Sequence, residues 1–91
     1  MKVVNQKTDK YTEYIGRGSI FGNPFKIPKH GSRTTVIRRF EAYARKNKRL
    51  MAAISKLPEN AVLGCYCAPK ACHGDVIIKL WKEIHENPLS S

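Results

Sequence analysis

Three cysteines, a histidine and an aspartate crowd into one run, Cys65-Tyr66-Cys67-Ala68-Pro69-Lys70-Ala71-Cys72-His73-Gly74-Asp75. Buried structural cysteines behave as small hydrophobes and are usually scattered, so clustered thiols point instead to reactivity or ligand binding. Cys65 and Cys67 are two positions apart, which on an extended strand sends both side chains to one face. Cys72 and His73 follow a proline-containing loop, where a helix is expected to begin. A helix start offers free backbone amides and a partial positive charge. Both lower a thiol pKa and favour a bound phosphate. Asp75 falls in the first turn, where a carboxylate suits the helix dipole and could orient His73.

Several chemistries are open to this set. Cys67 or Cys72 could act as a nucleophile supported by His73 and Asp75. Neighbouring Cys72 and His73 diverge on a helix, so Cys67 with His73 is the better pair. Cys65, Cys67, Cys72 and His73 are zinc ligands in kind, but adjacent Cys72 and His73 strain a shared tetrahedral site, and no metal ligand or cofactor is assigned. Alternatively the helix start cradles a nucleotide or phosphate while the thiols line its pocket. The plainest reading makes Cys65 and Cys67 small hydrophobes in a buried strand.

A second candidate lies upstream, in Gly16-Arg17-Gly18-Ser19-Ile20-Phe21-Gly22-Asn23-Pro24-Phe25. Arg17, Gly18 and Ser19 could contact a phosphate, although the Gly-Lys-Ser/Thr ending of a Walker loop is missing. Asn23 either caps a turn or offers its amide to a base or sugar. Residues 17–31 read as an ordered functional loop, because so long a connection in a small domain is usually functional and Phe21 and Phe25 give it something to pack. His30 reads as an exposed loop residue, Tyr66 as facing away from the cysteines and packing, and Trp81 as core.

These loops must be held by a small frame. Residues 2–5 and 11–16 are β-branched or aromatic and predict strands, and residues 61–66 predict a buried one. Val36, Ile37, Phe40, Tyr43 and Ala44 follow helical spacing after a Ser32 or Thr34 cap. A break at Asn47-Lys48 precedes a short helix through Leu50, Ala53, Ile54 and Leu57. A last helix carries Val76, Ile77, Leu80, Trp81 and Ile84. The fold expected is a small single α/β domain spanning residues 1–91, about three short strands packed with three helices, with residues 87–91 frayed.

The net charge is +10. Arg33, Arg38, Arg39, Arg45, Lys46, Lys48 and Arg49 face one intervening acid, Glu41. Such a field attracts polyanions, so Arg38, Arg39, Arg45, Lys46 and Arg49 are candidate nucleic-acid contacts; the bland alternative is a solvated helix face. No apolar run reaches the roughly 20 residues of a membrane span, and no apolar signal core follows Met1. An odd cysteine count does not make a disulfide framework, and a cytoplasmic location is expected.

Val3-Val4-Asn5, Tyr14-Ile15-Gly16-Arg17, Phe21-Gly22-Asn23-Pro24-Phe25 and Gly64-Cys65-Tyr66-Cys67-Ala68-Pro69 through Cys72-His73-Gly74-Asp75 together resemble the domain of unknown function 4326 family over roughly residues 2–85. That resemblance implies a phage or bacterial origin, hence a host cytoplasm if phage-encoded, and places both loops in one signature around one pocket. The last third is also distantly similar to the domain of unknown function 488 family, with Gly74 in place of its arginine. The function expected is binding of a nucleotide or nucleic-acid phosphate. The alternatives are a cysteine-dependent enzyme acting on a nucleoside or nucleotide, and a non-catalytic phage protein binding an acidic host partner.

Overall fold

The computed structural model describes residues 1–68 and 70–86; the expected fraying of 87–91 falls outside them. Its elements are β1 (Lys2–Asn5), β2 (Glu13–Tyr14), α1 (Arg33–Lys46), α2 (Lys48–Ser55), β3 (Val62–Cys65) and α3 (His73–Glu86). All three strands are parallel, in the order β1-β3-β2. The number of strands and helices expected from the sequence is what the chain forms. The last strand in sequence, β3, is the central one, so β1 and β2 are joined only through a strand from the C-terminal half.

The second strand is shorter than residues 11–16. Hydrogen bonds to β3 do run from the Thr12 amide to Val62 and from the Ile15 amide to Gly64. At Thr12, however, the side-chain hydroxyl replaces the backbone as acceptor for the Val62 amide (2.9 Å), which ends the regular ladder. Tyr11 then lies over the central strand. A Cβ on Gly64 would sit 2.6 Å from the Tyr11 Cγ, so only glycine allows this approach.

Ser32, not Thr34, caps α1 by accepting from the Thr35 amide. Asn47 ends α1 and its side chain caps α2 by accepting from the Leu50 amide at 3.1 Å, so one residue makes the expected break. Trp81 donates to the Leu57 carbonyl at 2.8 Å, and the His85 ring bonds the Ser55 carbonyl at 2.9 Å. The second bond satisfies a carbonyl that the C-terminus of α2 leaves without a helical partner, and the first ties α3 to the turn just beyond it.

Phe40, Leu50, Ile54, Leu63, Ile77 and Leu80 are fully buried where the three helices meet the sheet, joined by Ile15 from just beyond β2. Each contributes on the order of 1.5–3 kcal/mol of transfer free energy. Among the described residues no helix is long and apolar enough to cross a membrane.

Gly64→Ala should lower stability by about 1–2 kcal/mol, because the added methyl meets the stem of Tyr11 rather than a movable tip. Adding Tyr11→Ala should return part of that loss. Urea unfolding of the two single variants and the double variant measures the coupling.

Candidate functional site

The three strands end side by side at Asn5, Tyr14 and Cys65, and open parallel sheets place their crevices at such carboxyl ends. Beyond Cys65 the chain bends, and the Asn5 side chain holds that bend by donating to the Ala68 carbonyl (2.9 Å). The two loops flank a cavity of about 430 Å³. Arg17, Asn23 and Phe25 line it from the glycine loop, and Cys65, Cys67, Cys72 and His73 from the cysteine segment. The glycine loop and the cysteine segment thus line one cavity, and Asp75 lies outside its lining.

The start of α3 is fastened from three directions. Gly74 packs where a Cβ would come within 2.8 Å of both Val3 and Ile15, so glycine lets the helix sit directly on the sheet edge. The Cys72 sulfur accepts from the Gly74 amide at 3.2 Å, while the Asp75 carboxylate accepts from the Cys72 amide at 3.2 Å. This is a reciprocal cap in which cysteine stands where serine or threonine is usual. Asp75 thus turns back to the Cys72 amide rather than orienting His73, as a carboxylate at the third helical position readily does.

His73 is buried, with its ring edge against Phe40 (centroids 5.0 Å apart). Its Nε2 lies 2.7 Å from the Ile15 carbonyl. A carbonyl only accepts, so Nε2 carries the proton. Burial lowers the His73 pKa, opposed by the Ile15 and Phe21 carbonyls. No hydrogen bond joins His73 to Cys67.

Cys65 and Cys72 are both buried, with sulfurs 3.2 Å apart. Burial, reinforced by the Cys65 thiol, pushes the Cys72 pKa up to about 12. The expected lowering at a helix start acts through the Gly74 amide, but desolvation outweighs it. Cys67 is half-buried and does not share a strand face with Cys65, because β3 ends before it. Among the described residues, no three His, Cys, Asp or Glu side chains are grouped to hold a metal ion.

Several other expectations are re-placed. Gly18 and Ser19 lie outside the cavity lining; Gly18 has φ +92° and the Ser19 hydroxyl accepts from the Phe21 amide, so both shape the loop. Asn23 accepts from the Phe25 amide (2.9 Å) and donates to the Val36 carbonyl (3.3 Å), which is the turn-capping half of its two readings. His30 is half-buried rather than exposed, accepting from the Lys26 amide with its ring against Phe25. Tyr66 does not pack inward: it is 60% exposed at the cavity, with the Lys7 ammonium over its ring. A bend past the sheet edge leaves nothing to bury it.

Arg45 is engaged by Glu41 and Glu83, both at 2.9 Å, and Glu41 also meets Lys79. The hydrogen bond from Arg45 is the main cause holding the Glu41 carboxyl below its usual range. Arg38, Arg39, Lys46, Lys48 and Arg49 are exposed on α1 and α2. Two cavity cations escaped the sequence reading, Lys26 and Arg33. Lys26 follows Phe25 directly, and Arg33 follows the Ser32 cap and donates to the Ala71 carbonyl at 3.1 Å, across the cavity. Their charge was visible; their direction was not.

A family described as Domain of unknown function (DUF4326) matches residues 2–83, and the chain belongs to it. No curated protein and no solved structure gives a significant match.

Two measurements follow from these environments. With its folded pKa below the unfolded value near 6.5, His73 stabilises the fold fully above that pH and less as pH falls toward the folded pKa. His73→Gln should remove that part of the pH dependence of urea midpoints between about pH 7 and pH 5. Brief iodoacetamide treatment of native protein at pH 7 should label Cys67 well before Cys72, as read by peptide mass mapping.

Proposed function

We propose that the cavity binds the phosphate of a nucleotide or of a nucleic-acid strand. The observation that carries this reading is the charge of the walls: Arg17, Lys26 and Arg33 line the cavity, and no carboxylate does among its described residues. Three cations converging without a counter-charge repel one another, and an anion of two or more charges relieves that repulsion. Arginine offers paired N–H donors that match phosphate oxygens, and lysine a point charge beside them.

The rest of the lining suits the organic part of such a ligand. Tyr14, Phe25 and Tyr66 present aromatic surface at the cavity, and base–aromatic stacking contributes about 1–3 kcal/mol per base. The Arg39 guanidinium lies 5.8 Å from the Phe25 ring centre, so positive charge continues from the cavity onto α1. From there Arg38, Lys46, Lys48 and Arg49 offer exposed charge to a longer polyanion. Arg45 is left out of this surface, since Glu41 and Glu83 already compensate it.

Binding is tested with a fluorescent adenosine nucleotide and a fluorescent single-stranded oligonucleotide. Arg17→Ala or Lys26→Ala should each weaken nucleotide binding roughly tenfold, the value of one charge-assisted contact. The oligonucleotide should also lose affinity steeply with salt, and Arg38→Ala with Arg49→Ala should flatten that slope. Wild-type protein that binds neither probe at low salt would refute the proposal.

A further inference from the structure

We propose that Cys65 and Cys72 form an oxidisable dithiol at the cavity, which a peroxide closes to a disulfide. The two sulfurs come from different elements, the end of β3 and the cap of α3, yet lie 3.2 Å apart. A disulfide needs about 2.05 Å, so the sulfurs have little more than 1 Å to travel. Both residues are almost sealed from bulk solvent, at 2% exposure each, but both line the cavity. A molecule as small as hydrogen peroxide reaches them by that route.

The geometry assigns the order of events. The two sulfurs share a hydrogen bond that either thiol can donate, while the Gly74 amide donates to the Cys72 sulfur. With a lone pair of Cys72 committed to that amide, Cys65 is the sulfur that attacks first. Its sulfur takes one peroxide oxygen as the O–O bond breaks, giving a sulfenic acid and one water. The Cys72 sulfur then attacks the Cys65 sulfur, the S–O bond breaks, and hydroxide leaves with the Cys72 proton as a second water. Two thiols are oxidised by two electrons and one peroxide is reduced to two waters.

This chemistry stands apart from phosphate binding and is tested without it. Trypsin cuts after Lys70, separating a fragment with Cys65 and Cys67 from one with Cys72. Cys67→Ser then leaves one thiol on each fragment. Peroxide treatment of the folded full chain, followed by alkylation and digestion without reductant, should give a linked pair lacking two hydrogens in wild type and in Cys67→Ser. Unfolding either protein in urea before peroxide should slow the linkage at least tenfold, since only the fold holds the sulfurs together. Intermolecular dimers, a linkage that disappears in Cys67→Ser, or equal rates in folded and unfolded chains would each overturn the proposal.

Discussion

The buried hydrogen bond from His73 to the Ile15 carbonyl joins residues far apart in the chain, and the site is arranged around it. It ties the first residue of α3 to the point where β2 gives way to the glycine loop. Placing a polar ring in the core is costly unless its N–H is satisfied, so this carbonyl is a requirement of burial. Once the bond forms, Arg17 and Asn23 on one side and Cys67 and Cys72 on the other must face a common space.

Glycine at two places makes that arrangement sterically feasible. Gly74 lets α3 settle on Val3 and Ile15, which brings Cys72 against Cys65. Gly64 lets the crossover between β1 and β2 lie against the central strand through Tyr11. Neither glycine needs unusual backbone angles; both are places where a Cβ has no room. The helix cap and the thiol pair are consequences of the same close approach.

Electrostatics divides the basic residues into two groups. Arg45 and Lys79 are held with Glu41 and Glu83 in a network linking α1 to α3, exposed enough that solvent screens much of its energy. Arg17, Lys26 and Arg33 instead surround a cavity with no acid of their own among the described residues. Net charge conceals this difference, because it counts residues without regard to neighbours. The chemical character of the site lies in the second group.

Much of the frame was legible in the residues themselves. Helical spacing, a cap at Ser32 or Thr34, the break at Asn47-Lys48 and the apolar run before Cys65 are local, and they located every helix and two of the three strands closely. Glycines, thiols and a histidine in two short motifs also marked where the cavity walls would come from. Tertiary structure decided the rest: the central place of β3, the place of Lys26 and Arg33 in the cavity lining, the outward turn of Tyr66, and the partners of Cys72, His73 and Asp75. Those outcomes depend on contacts between distant segments. Local periodicity specifies which face of an element is apolar, but only packing determines what that face meets and which polar groups lose water there.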